Sequence, residues 1–564
     1  MTVTHPVQGT DGDGGTRGLA APSAVMASGT IVSRVTGILR DVAMTAALGF
    51  YLVSDAYSLG NALPTVVYIL VIGGALNAVF IPQLVRRMKE DSDGGKAYAD
   101  RLLTFVGITL VAMSIIAVLA APLIVDLYTP ADYPQSDFDL AVAFARLCLP
   151  QILFYGVYTM LGQVLNARGH FGVPMFAPIA NNIIAIATFL LFIAVAGTSA
   201  AADGVLTTDQ VLILGIGTTL GVVVQGLILI PVLMRSGYSY RPRFDFRNGG
   251  LGKAGGLAAW TIALVLINQA VYVVITRLAT QANVDALAAG AVAAGLTTYQ
   301  KAHLVFMLPH SVITVSVVTA LLPALSRYAH DGNRKRVGAD IASTMRVVST
   351  LVAPIASVLF VIGASVAVLL FGYGAATEEQ ASLMGQVVSV FMLGLLPFTL
   401  FYVLLRGFYA LEDTRTPFFI TVAFSAVLLV CVYPLFYFAA AGGVQIASIA
   451  LSYSISYWVG LVIAWWILSR RLGGLESKHT AWTLAKLMLV SIISIIFMVG
   501  TQLLLVTYVF EPGLADKPAV LIRVIVISIV GFGVFFWFAW LFKVSEISSI
   551  VRIVTSRLGK KSAS

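Results

Sequence analysis

Arg34, Arg40 and Asp41 interrupt an otherwise apolar run, from Ala27 to Leu48, that is long enough to cross a bilayer. One charged side chain at the bilayer centre costs about 2.5–3.5 kcal/mol on insertion scales. Three in one span therefore call for a polar cavity or for partners on other helices. Arg34 and Arg40 are six residues apart, so they point about 120° apart on a helix and share a cavity only if it is wide. Asp41 is placed to neutralise Arg40 or a cation on another helix. A second apolar run, TTYQKAHLVFMLPHS, carries Lys301 and His303 at what reads as mid-depth, with His303 equally suited to packing. The balance of Arg34, Arg40 and Lys301 against Asp41 is cationic. Such a pocket suits an anionic group, because arginine offers phosphate a planar fork and lysine a point charge. Asp55 opens the following span and reads as a gate or as a solvated carboxylate at the interface. The chain carries no phosphate-binding loop, metal triad or nucleophile elbow, so neither ATP hydrolysis nor chemistry on a substrate is expected.

The elements that must hold these residues are membrane helices. The 564 residues are 59% hydrophobic and only 11% charged, with a mean hydropathy of +0.93. Soluble domains carry roughly 25% charged residues, so the surface here must be apolar too. The apolar runs reach the length needed to span about 30 Å of hydrocarbon as helices. The expectation is an all-α polytopic membrane protein of about fourteen spans. Cys148 and Cys431 lie in apolar runs and read as packing residues.

The net charge of +9 sits in the loops. Loops after odd-numbered spans, such as TPADYPQSD, TQANVD and GYGAATEEQ, are poor in positive charge. Those after even-numbered spans hold clusters such as Arg235, Arg241, Arg243 and Arg247, or Arg334, Lys335 and Arg336. This is the positive-inside pattern with both termini cytoplasmic. No basic stripe with interleaved aromatics suggests nucleic acid.

Two stretches recur. FIPQLVRRMKEDSDGGKAYADRLLTF from Phe80 is answered by ALLPALSRYAHDGNRKRVGADIASTM from Ala320. LPQILFY from Leu149 is answered by LPFTLFY from Leu396. A shift of six spans relates both pairs, which implies two six-helix lobes as parallel repeats around a central cavity. The expected division is a disordered cytoplasmic tail over 1–23, an N-lobe over 24–235 (spans 1–6) and a C-lobe over 236–472 (spans 7–12). Two extra spans over 473–548 and a basic tail over 549–564 follow.

The stretches SRVTGILRDVAMTAALG, SDAYSLGNALP and GGALNAVFIPQL, with the later TALLPALSR and GFYALEDTRTPFF, resemble the MurJ/MviN proteins. These are lipid II flippases of the multidrug/oligosaccharidyl-lipid/polysaccharide exporter superfamily. The resemblance implies alternating access that carries the undecaprenyl-diphosphate-linked peptidoglycan precursor to the outer leaflet of the bacterial plasma membrane. It places the substrate-binding cavity on Arg34, Arg40 and Asp41 with Lys301 and His303, the diphosphate on Arg34, Arg40 and Lys301, Asp55 as gate, and spans 13 and 14 as a groove for the lipid tail. Membrane lipids and cell-wall synthesis proteins are the implied partners, with no resident cofactor. Tyr68 and Leu304 stand where many relatives have arginine, and Lys301 is the nearest replacement for the latter. Span 11 lacks the carboxylate or amide of the sodium site that some relatives show, which leaves the membrane potential, worth about 2.3 kcal/mol per charge per 100 mV, as a driver. A cation-coupled drug or polysaccharide exporter of the same superfamily is the alternative.

Overall fold

Lipid offers backbone amides no hydrogen-bond partner, so an apolar chain in a membrane closes its bonds within helices. The computed structural model describes residues 14–70, 87, 91, 93–170, 172–245, 255–509 and 516–547, with 14–27 and 255–258 as backbone only. Among these the regular structure is helical, with no strand. Residues 1–13, Gly73 and Gly74, the first repeat copy from Phe80 to Arg86 and the tail from residue 548 lie outside the described residues.

Twelve helices among the described residues are long and apolar enough to cross a membrane. Two more, Gly14–Leu48 and Leu52–Tyr68, stand where spans 1 and 2 are expected. Spans 3 to 6 are Lys96–Leu119, Gln135–Ala167, Gly172–Ala196 and Thr208–Arg235. Spans 7 to 12 are Gly255–Ala288, Leu296–His330, Arg334–Phe371, Glu378–Ala410, Arg415–Tyr437 and Gly443–Leu472. Spans 13 and 14 are Ser477–Tyr508 and Lys517–Leu541.

Two boundaries differ from expectation. Span 1 begins at Gly14 rather than residue 24, because Leu19, Ala20, Ala21 and Ala24 favour helix even beside Pro22. Span 7 runs to Ala288, so TQANVD is helical rather than a loop. The turn falls instead at residues 289–295, where Gly290 takes a left-handed φ of +63°. Span 8 therefore starts at Leu296, and Lys301 lies five residues from that end rather than near mid-depth.

Span 1 packs on span 5, span 2 on the first half of span 4, and span 6 on spans 4 and 5. In the second half of the chain, span 10 packs between spans 9 and 12, and spans 7 and 12 flank span 11. Small residues let these helices close up, as expected where lipid gives no hydrophobic drive. At Gly363 and Gly385 an added Cβ would meet the facing backbone at 2.4–2.6 Å.

Spans 13 and 14 pack on each other and on span 9. Arg346 of span 9 anchors their ends. Its Nη1 donates to Glu476 Oε2 at 2.7 Å and its Nε lies 2.8 Å from Glu546 Oε1. Before span 3, Asp93 accepts from the amides of Ala97 and Gly95, which hold its carboxyl below the usual range.

Candidate functional site

Spans 1 and 8 run antiparallel and carry the candidate charges. Arg34 and Asp41 are seven residues apart, so they share one face of span 1, whereas Arg40 is turned about 100° from Asp41. That shared face looks at span 8. Lys301 Nζ donates to Asp41 Oδ1 at 2.5 Å, and both side chains are 8% exposed. Nearer the other end of the pair, Arg34 donates to Ser311 Oγ. Ser311 lies in a π-helical turn, His310–Thr314, directly after Pro309. Such turns mark places where a helix departs from regular pairing.

Arg40 faces span 5. Its Nη1 donates to Asn182 Oδ1 and its Nη2 to Asp41 Oδ2, both at 3.4 Å. Asn182 in turn donates to Ser33 O at 3.1 Å and Thr36 Oγ1 at 3.0 Å, fixing span 1 on span 5. Arg40, Asp41 and Lys301 line a cavity of about 150 Å³ with Tyr57, Tyr155 and Gln300. A water takes up about 30 Å³ of liquid, so in this form the cavity holds a few waters and no sugar-bearing headgroup.

The expected residues are thus brought together only in part. Arg40, Asp41 and Lys301 share the cavity; Arg34 reaches the π-turn outside it. His303 is two residues beyond Lys301, about 200° around the helix. Its ring lies 6.0 Å from Tyr299, 5.7 Å from Phe391 and 5.8 Å from Tyr453, among spans 8, 10 and 12. His303, expected beside Lys301 as a substrate-binding residue, thus faces aromatic rings and does not line the cavity that Lys301 lines. Tyr68 donates to Thr159 Oγ1 at 2.8 Å, closing span 2 on span 4.

Asp55 is fully buried rather than solvated. Its carboxylate accepts from the amides of Thr297 at 2.7 Å and Leu296 at 3.0 Å, and from Asn283 Nδ2 at 2.9 Å. A span 2 carboxylate therefore caps span 8, satisfying free amides at the positive end of that helix. Ser54 and Ser58 reach Thr297 Oγ1 at 3.0 and 2.9 Å. A Cβ on Gly295 would come within 2.0 Å of Asp55 Oδ2, so only glycine lets the two halves approach this closely. Next to this latch Ala375 N donates to Ala46 O at 2.8 Å. Ser311 and Asn283 carry no mark as site residues in the sequence: one depends on a π-turn, the other on helix where a loop is expected.

Comparison with known proteins places the chain. A family model described as "Lipid II flippase MurJ" matches residues 44–515. "Probable lipid II flippase MurJ" of Rhizobium tropici is 26% identical over 93% of this chain and 94% of its own length. "Lipid II flippase MurJ" of Burkholderia cenocepacia (strain ATCC BAA-245) is 26% identical over 69% and 72%. A solved structure described as "Lipid II flippase MurJ, inward closed conformation" superposes with a TM-score of 0.71 at 18% identity, over 93% of this chain and all of that one. A multidrug resistance MATE family transporter in an inward-facing conformation gives 0.60 at 13% identity, over 81% and 99%; both likenesses speak for the fold. The model match over most of the chain settles membership: this multi-pass membrane protein belongs to the MurJ lipid II flippase family.

Proposed function

We propose that the chain flips lipid II, the lipid-linked peptidoglycan precursor, by alternating access, with its diphosphate drawn to Arg40 and Lys301. The observation that carries this reading is the cross-lobe cluster of Arg40, Asp41 and Lys301, in a member of a lipid II flippase family. The function is transport rather than catalysis.

Orientation follows from loop charge: basic loops and both termini face the cytoplasm of a bacterial inner membrane. The Asp55 latch then closes the outer side, and the Arg34–Ser311 contact draws spans 1 and 8 together toward the cytoplasmic side. A diphosphate entering from inside competes with Asp41 for Lys301 and gives Arg40 a planar anion to hold. Its arrival loosens the one ion pair that crosses between spans 1 and 8 among the described residues. Opening outward requires Asp55 to release the start of span 8.

Residues 24–235 and 236–472 are read as the two moving lobes, with spans 13 and 14 as the tail groove. An apolar cavity of about 240 Å³ where span 13 meets spans 9, 10 and 12, lined by Phe360, Leu396, Trp458 and Ile492, supports a place for a lipid chain beside span 13. Proteins that make and consume the precursor are the partners this reading implies. The exporter alternative fits less well, because a pocket for organic cations calls for net negative charge and Arg40 with Lys301 outweigh Asp41. The test is outer-leaflet exposure of lipid II in bacteria depleted of their own flippase. Normal exposure with both Arg34→Ala and Arg40→Ala would sink the reading.

A further inference from the structure

A second large cavity lies outside the transport site. It encloses about 650 Å³, within the usual range for small-ligand pockets. Leu103 of span 3, Val157 and Leu161 of span 4, and Ile230, Leu233 and Met234 of span 6 line it. Tyr155, which lines the transport cavity, fixes its direction. On span 4, Val157 and Leu161 lie about 200° and 240° round from Tyr155. The cavity therefore opens away from the translocation path, in the cleft between spans 3 and 6.

One end is roofed by the strap that follows span 6, residues 237–245. The strap is built in place on span 3. Tyr238 Oη donates to Asp100 Oδ1 at 2.7 Å, and Asp100 is also held by Lys96 at 3.1 Å. Tyr240 Oη meets Thr104 Oγ1 at 2.8 Å, Arg243 N donates to that same hydroxyl at 3.1 Å, and Arg101 holds Asp245 at 2.6 Å. Arg168 donates to Ser236 O at 3.0 Å and lies over the Tyr238 ring. Arg235, Arg241 and Arg243, all exposed, follow the lining residues Met234 and Tyr240 within three positions in the chain. An apolar pocket with arginines at its mouth, in the wall of a membrane protein, matches an acyl chain below a phosphate.

We propose that this cleft is a site for an anionic phospholipid, its acyl chain in the cavity and its phosphate on Arg235, Arg241 and Arg243. The bound lipid clamps the strap to span 3 and so steadies the start of the connection to span 7. The charge of the rim selects the headgroup, because arginine pairs with phosphate and juxtamembrane basic clusters attract anionic lipid.

The test uses the full chain, purified in detergent and stripped of lipid. Native mass spectrometry counts retained phosphatidylglycerol or phosphatidylcholine of the same chain length. The parent is expected to hold one phosphatidylglycerol at least fivefold more tightly than phosphatidylcholine. R235Q/R241Q/R243Q loses that preference at least fivefold. R334Q/K335Q/R336Q, which removes as much charge from the basic start of span 9, keeps it. The rim side chains are exposed, so their loss leaves the fold intact. Val157→Trp fills the cavity with the rim untouched and, where the variant folds, also loses the lipid. Equal retention of the two lipids, a rim variant within fivefold of the parent, an equal loss in the control variant, or a folded Val157→Trp that still binds would each overturn the proposal.

Discussion

Lys301 of span 8 donates to Asp41 of span 1 at 2.5 Å, and the pair joins two helices 260 residues apart in the chain. Arg40 stands beside it, 3.4 Å from the other carboxylate oxygen. The aspartate thus serves two cations. On the proposed reading, an incoming diphosphate changes that sharing and so links binding at the cavity to the fit of span 8 against span 1.

The pair makes a stability prediction. Breaking a buried ion pair by removing one partner costs about 3–5 kcal/mol. Lys301→Met falls at the lower end, because Arg40 remains beside Asp41. Purified Lys301→Met should melt well below the parent, and Asp41→Asn/Lys301→Met should recover at least half of the loss. A double variant no more stable than the single would show that the pair is not coupled.

The latch makes a prediction about access. Gly295→Ala pushes a methyl group against the Asp55 carboxylate and frees the start of span 8. With Cys148 and Cys431 replaced, a cysteine at Ser58 should react with a membrane-impermeant thiol reagent from outside at least tenfold faster in Gly295→Ala than in the parent background. Unchanged reactivity would mean that the latch does not close the outer side.

Ser54 Oγ and Thr297 Oγ1 are 3.0 Å apart, within reach of a disulfide if both are cysteine. In the same cysteine-free background, oxidised Ser54→Cys/Thr297→Cys should stop lipid II exposure, and reductant should restore it. Transport at the parent rate with the crosslink formed in most molecules would rule out outward opening at this seam.

Arg346 predicts a separate stability effect. Its side chain is 10% exposed and faces Glu476 and Glu546. Arg346→Met leaves the buried Glu546 without that cation, so a loss of about 3–5 kcal/mol is expected. Glu476→Gln should cost under about 1 kcal/mol, as this carboxylate is 45% exposed. Thermal melts of the two variants, compared with the parent, decide the matter.

The helices and the span order were legible because apolar runs of membrane length leave no other structure for the backbone. Lys301 and Asp41 were legible as residues, since a charge in such a run needs an answer. Their contact was not. It depends on where span 8 begins, and TQANVD reads as a polar loop because Gln281 finds Asp285, and Asn283 finds Asp55, only once folded. Asp55 was visible as a carboxylate at a helix start, but the helix it caps starts 241 residues downstream. Arg34–Ser311 was hidden for a different reason: a π-turn shifts the face of span 8, and no residue pattern announces it.

On the proposed reading, Arg40 and Lys301 hold the diphosphate of lipid II during its crossing. The most direct measurement is lipid II exposed at the outer leaflet of bacteria whose only flippase is this chain, compared with its Arg40→Ala variant at equal expression. At least tenfold less exposed lipid II in Arg40→Ala is predicted. Equal exposure in the two would contradict the account.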